Sequence, residues 1–176
     1  MKVRPIVNKI LANTIAPMHK SRRDALAAAI ESAMNGNSLT VTSLGRGIKS
    51  ETSEKNGIKR IDRLCSNPHL FREKNSIYES ICKQWVPATS RPVILVDWSD
   101  LDDYKNAFLI SATLVVDGRP ITLYLEVHPL ERKEKPEVHE DFLKTLKGLL
   151  PENSHPIIVA DAGFKVPWHE QVVSQG

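Results

Sequence analysis

The chain has 176 residues, 41% apolar and 26% charged, with 24 Lys+Arg against 21 Asp+Glu for a formal charge of +3. That length suits one ordinary domain or a small and a medium one, and the composition supports a packed core rather than wholesale disorder. No apolar run approaches the roughly 18 residues of a membrane helix, and the basic start lacks the continuous apolar stretch of a secretory signal.

The two cysteines, Cys65 and Cys82, make neither a disulfide scaffold nor a zinc pattern. They read as buried, reduced thiols of a cytosolic protein. The net charge hides an asymmetry. Residues 1–96 carry 16 Lys+Arg and 7 Asp+Glu, so 16 − 7 = +9, and residues 97–176 carry 8 and 14, so 8 − 14 = −6. A basic half can neutralise phosphates and release counterions. Clustered carboxylates in an acidic half can hold divalent metal. Two solvated surfaces of opposite sign are the plainer alternative.

The basic half reads as helices. Ser21 is the expected N-cap of a helix over RRDALAAAIESAMNG, with Leu26, Ala29, Ile30, Ala33 and Met34 at helical spacing and Gly36 as the stop. Ser38 is expected to cap a short second helix, LTVTSLGRGI. In ETSEKNGIKRIDRLCSNPHL, Ile58, Ile61, Leu64 and Cys65 share one face, and Pro68 ends the helix. A fourth helix, LFREKNSIYESICKQWV, is expected to bury Leu70, Phe71, Ile77, Ile81 and Trp85. Pro87, Thr89, Ser90 and Pro92 then form a linker, dividing the chain into 1–90 and 91–176. Short helices with a basic third member suggest a helix-turn-helix arrangement. Arg46, Lys49, Lys55, Lys59, Arg60 and Arg63 are the candidate contacts to a phosphate backbone. A solvated helix face is the competing reading.

The acidic half reads as strand, strand, strand, helix, strand, helix, an α/β (α+β) pattern. RPVILVDWSD is an apolar run closing on Asp97, the look of a buried central strand. NAFLISATLVVDGRPITLYLEV is a hairpin turning at Asp117-Gly118. EVHEDFLKTLKGLL is amphipathic, with Val138, Phe142, Leu146, Leu149 and Leu150 inward. SHPIIVADAGF closes on Asp161, and Pro167 opens a last helix.

If the strands ending in Asp97 and Asp161 are neighbours, their carboxylates come together. Two such groups repel unless a cation neutralises them, and Mg2+ or Mn2+ with retained waters suits oxygen ligands. A lone Asp at a strand end more often caps a turn. Asp100, Asp102 and Asp103 read as a solvated loop, with Asp100 a weaker candidate near the site. The six His are scattered; Trp85, Trp98 and Trp168 could stack on bases, though core packing is the commoner fate of Trp, and Trp98, Ser99, Ala162, Gly163 and Phe164 read as shaping the site around the two acids.

The strings VTSLGRGI, IKRIDRL, ILVDWSD, RPITLY and IVADAGFKVPW, spread from Ser38 to Trp168, resemble the transposases of bacterial cut-and-paste insertion sequences. The resemblance implies a helical DNA-binding region followed by a ribonuclease-H-like mixed sheet with helices. It also implies a DDE site of three acidic residues binding two Mg2+ or Mn2+ ions. Matched motif to motif, Asp97 takes the place of the first acid and Asp161 the second. The third lies in the family far downstream, after an inserted β-rich region, and Glu170 follows Asp161 too closely to replace it. The chain therefore resembles the N-terminal part of such a transposase, with the sheet incomplete. The implied partners are double-stranded DNA, as terminal inverted repeats and target, and a second transposase copy in a dimer. The implied location is the bacterial cytoplasm, at the nucleoid when DNA-bound. The alternative is a non-catalytic DNA-end-binding fragment that inhibits an intact transposase.

Overall fold

The computed structural model describes residues 18–49, 53–88, 91–117 and 119–175. It is a mixed α/β structure with one four-stranded mixed sheet and, among the described residues, six α-helices. None of these helices is long and apolar enough to cross a membrane. The chain forms two compact units, Met1–Ile77 and Tyr78–Gly176. The division falls inside a helix, upstream of Pro87 and Pro92; Thr89 and Ser90 of the expected linker lie outside the described residues.

In the first unit, helix α1 spans Lys20–Met34 and is capped by His19, whose side chain accepts from the Ser21 N–H. Ser21 is thus inside the first turn rather than the cap. Gly36 stops the helix at φ +90°, a left-handed conformation that suits glycine. The face of α1 that is buried carries Ala25, Ala28 and Ser32, while Met34 is exposed. Small residues win here because the Ser32 hydroxyl donates to the Leu44 carbonyl at 2.8 Å, drawing the next helix close.

Helix α2, Val41–Arg46, is capped by Thr40 and not Ser38: the Ser43 N–H donates to Thr40 Oγ1 at 3.1 Å. Helix α3, Glu54–Cys65, crosses α2 through two glycines. A Cβ on Gly45 would lie 2.4 Å from Ile58 Cα, and one on Gly57 would lie 2.3 Å from the Gly45 carbonyl oxygen. Ile61 and Leu64 are buried, Ile58 is half-buried and Cys65 is exposed, contrary to its expected burial.

Helix α4, Pro68–Trp85, starts at the proline expected to end α3. The Asn67 side chain caps it by accepting from the His69 N–H at 2.9 Å. Leu70 and Ile77 pack with Met18 and Ala27. Phe71 and Trp85, expected inside, are 70% and 48% exposed.

In the second unit the strands are β1 Val93–Asp100, β2 Ala107–Val116, β3 Arg119–Pro129 and β4 Ile157–Ala160, in the order β3-β2-β1-β4. β1 pairs antiparallel with β2 and β2 with β3, whereas β4 runs parallel to β1. The β2–β3 connection is Asp117 and residue 118; the glycine of that expected turn lies outside the described residues. A bulge between Ala112 and Thr113 sets both Leu123 and Tyr124 into the core. Helices α5, Pro136–Leu149, and α6, Val166–Ser174, complete the unit.

One sheet face is covered. Ile94, Val96, Ile110, Leu114 and Tyr124 pack on Phe142, Leu143 and Leu146 of α5, on Trp168 of α6, and on Cys82 of α4. The other face is open. β1 is central in the sheet but buried on alternate residues only, with Val93 and Leu95 exposed beside Ile157 and Val159, their partners in register. The expected fully buried strand is therefore a one-face strand in this chain.

Candidate functional site

β1 runs three residues past Asp97, to Asp100, and β4 stops one residue before Asp161. Their parallel pairing matches Val93 with Ile157, Leu95 with Val159, and Val96 with Ala160. Asp97 and Asp161 are each one residue beyond that last pair. Side chains alternate along a strand, so Asp97 continues the row of Val93 and Leu95, and Asp161 continues that of Ile157 and Val159. Both carboxylates thus belong to the open face, at the same end of adjoining strands. Both are exposed, and both line one cavity of about 220 Å³.

Local structure fixes Asp161. Its Oδ1 accepts the Gly163 N–H at 3.0 Å, and its carbonyl accepts the Phe164 N–H at 3.2 Å. The turn-capping role that competes with metal binding is therefore real for one oxygen of Asp161. Phe164, buried, anchors the turn against Trp168 at a ring separation of 4.6 Å.

Three further residues of this cavity were not singled out from the sequence: Lys133, Glu134 and His139. Lys133 and Glu134 come from the turn before α5. Lys133 Nζ lies 4.3 Å from the Phe108 ring centroid, 3.8 Å from Glu134 and 4.0 Å from Asp100. Glu134 has φ +58°, the left-handed region seldom taken by residues other than glycine. His139 is 6% exposed and accepts a hydrogen bond at Nε2 from Trp98 Nε1, 3.0 Å away. Burial holds its pKa below the ordinary 6.5, partly opposed by Glu134 and Glu137. Its signal in the sequence was spacing: His139, Phe142, Leu143 and Leu146 form one helical stripe.

The neighbouring acids have other work. Asp100 pairs with Lys105 at 3.6 Å and with Lys133. Asp102 accepts the N–H groups of Asn106 and Ala107, each at 3.1 Å, shaping the turn into β2. Among the described residues no group of three or more His, Cys, Asp or Glu is placed to hold a metal ion. The donor set that is present, two carboxylates on adjoining strand ends, fits a hydrated divalent ion that keeps most of its waters. It is not a closed protein cage.

In the first unit a separate groove of about 590 Å³ gathers Lys59, Arg60 and Arg63 of α3 with Ser21 and Arg22 of α1. Asn56 and Asn67 add amide groups at its wall, and Asp24 of α1 adds one carboxylate. Arg22 is held by Glu73 in an ion pair, its Nε donating at 3.1 Å. Lys59, Arg60 and Arg63 have no ion-pair partner among the described residues. Arg46, Lys49 and Lys55 do not line this groove. Arg46 is taken up by Glu54 at 2.6 Å, and Lys49 and Lys55 are exposed.

Comparison with protein-family models, curated proteins and solved structures returned no match.

Proposed function

We propose that the chain belongs to the DNA-cleaving and DNA-joining machinery of a cut-and-paste insertion sequence. Asp97 and Asp161 are two of its metal-holding carboxylates, and the helical unit holds transposon ends. The observation that carries this is the parallel β1–β4 pairing, which sets both acids on one sheet face at one strand end. The motif resemblance and the strand order β3-β2-β1-β4 support a ribonuclease-H-like reading of the sheet.

A phosphodiester resists attack because it is anionic and its alkoxide leaves poorly. Bound Mg2+ or Mn2+ would supply charge neutralisation, activation of a water or 3′-hydroxyl, and stabilisation of the departing oxygen. Asp97, in β1, and Asp161, in the turn one residue past β4, would hold the cation. The Gly163 N–H fixes one oxygen of Asp161 and so orients the other. Lys133 presents an ammonium group at the cavity wall, suited to a phosphate oxygen. In the helical unit Lys59, Arg60 and Arg63 line a groove, and each neutralised phosphate steepens the salt dependence of binding.

A second reading has its own support. With two carboxylates gathered rather than three, the chain binds DNA ends without cutting them and competes with an intact transposase. The test is binding and cleavage of terminal-inverted-repeat duplexes across a KCl series, with MgCl2 or MnCl2. Cleavage that vanishes in Asp97→Asn and Asp161→Asn, with binding retained, upholds the first reading. Binding without cleavage selects the second. Binding whose salt slope is unchanged in the Lys59→Ala, Arg60→Ala, Arg63→Ala triple variant removes the groove from both. The expected slope reduction is up to about 2.7, at ~0.9 per phosphate contact.

A further inference from the structure

The imidazole of His139 touches the structure behind both acids. Its Nε2 accepts from Trp98, the chain neighbour of Asp97. Its ring lies 5.2 Å from that of Phe164, whose backbone N–H closes the Asp161 turn. Trp168 meets the same imidazole edge-on at 5.2 Å. Trp Nε1 is a donor only, so Nε2 carries no hydrogen and the proton of the neutral ring is on Nδ1. The low-lying pKa from burial is consistent with that neutral form.

We infer that His139 is a positioning residue: from helix α5 it clamps Trp98 by a hydrogen bond and backs Phe164 by ring contact, fixing the Asp97 and Asp161 strand ends relative to each other. The inference rests on the metal-site reading only for its functional consequence; the mechanical coupling stands on its own. Trp98 is on the covered side of β1 while Asp97 is on the open side. A shift of the indole therefore tilts β1 at the position where the carboxylate leaves it. The Asp161 turn has no strand partner of its own past Ala160, so Phe164 packing and the Gly163 hydrogen bond are what set its geometry. One buried side chain serving both ends is a more economical coupling than two independent anchors. It also resembles in kind the outer partners that orient metal ligands from behind.

The experiment uses the whole chain, His139→Leu, His139→Gln and Trp98→Phe, in proton–nitrogen correlation spectra. It follows the Trp98 indole N–H, assigned by its loss in Trp98→Phe, and the backbone amides of Asp97 and Asp161. MnCl2 is the probe of the carboxylates, through broadening of those amides. In His139→Leu the indole N–H exchanges about tenfold faster or more as its acceptor is lost, and both amides shift. The MnCl2 concentration for half-broadening rises about tenfold. His139→Gln, which keeps an acceptor oxygen, recovers most of each effect. An indole as protected in His139→Leu as in the parent overturns the inference, as does a shift at only one of the two amides. If the parent shows no Mn2+ broadening at either Asp, the metal reading fails and the amide shifts still decide the coupling. If His139→Leu does not fold, Trp98→Phe decides: it keeps a ring and removes the donor, and an unmoved Asp161 amide refutes the clamp.

Discussion

Replacing Asp97 or Asp161 by Asn should stabilise the chain in the absence of divalent metal and abolish its stabilisation by metal. Asn is nearly isosteric, and at position 161 it retains the oxygen that accepts the Gly163 N–H, so the turn survives. Adjoining strands lie about 4.8 Å apart, and carrying that spacing one residue past the Val96–Ala160 pair gives a working separation of about 5 Å for the two carboxylates. Two unit charges at ~5 Å repel by about 0.8 kcal/mol at the dielectric of water and about 3 kcal/mol at an effective dielectric of 20. Both side chains are exposed, so the lower figure applies. Removing either charge removes the same pairwise repulsion, so the double variant gains little over the singles. In a unit of this size ~0.8 kcal/mol moves the midpoint by about 3–6 °C. Metal at about 100 times its dissociation constant adds ~2.7 kcal/mol to the parent alone. The assay is thermal unfolding by circular dichroism, in chelator and in MnCl2, for the parent, both singles and the double. Additive effects of the two substitutions in chelator would show that the carboxylates do not sense each other. Equal stabilisation of all four proteins by Mn2+ would place metal elsewhere.

Gly45→Ala and Gly57→Ala should each cost the helical unit about 1–3 kcal/mol or more in urea unfolding, because the new methyl meets backbone rather than a yielding side chain. Gly148→Ala, with nothing within 4 Å of its Cβ, should instead stabilise α5 by about 0.5–1 kcal/mol. Leu95→Lys with Val159→Lys should lower dye binding to exposed apolar surface and slow aggregation, leaving far-ultraviolet dichroism unchanged; loss of fold would mean that face is packed after all. The lowered pKa of His139 fixes a pH sign. Below about 6.5 the unfolded chain takes up a proton there that the folded chain resists, so stability present above 6.5 falls on acidification toward the folded pKa. The stability difference between parent and His139→Gln, measured by urea unfolding from pH 7.5 to 5, should shrink as pH falls; a constant difference refutes the assignment.

The fold was legible where a pattern had one explanation. The order of elements from β1 to α6 follows from apolar alternation, a turn dipeptide and one helical stripe, and the inward residues Val138, Phe142, Leu146 and Leu149 are buried as their spacing requires. Helix caps were less legible because neighbouring residues compete for the same orphan N–H groups: His19 displaced Ser21, and Thr40 displaced Ser38. The first unit misled for a different reason. Hydrophobicity placed Met34, Phe71 and Cys65 inside, yet the close α2–α3 crossing is built from Gly45, Gly57 and the Ser32 hydroxyl, which a hydrophobic count ignores.

The candidate site was legible in its two strand-end carboxylates and not in the side chains around them. Two apolar runs closing on acid announced Asp97 and Asp161, because a carboxylate at a strand end is conspicuous. Which face they share depends on register, and register comes from pairing two segments 64 residues apart, 161 − 97, a non-local fact. His139 was read only as one of six scattered histidines, since an indole donor and an imidazole acceptor 41 positions apart leave no local mark. The alternation that buries Ile94 and Val96 is the same one that leaves Leu95 open and delivers Asp97 to the open face. Apolar exposure and carboxylate placement are therefore two consequences of one strand phase. A one-residue slip of β1 would bury Asp97 against α5 and turn Val96 outward, so the packing that holds the core also holds the acid in reach of its partner.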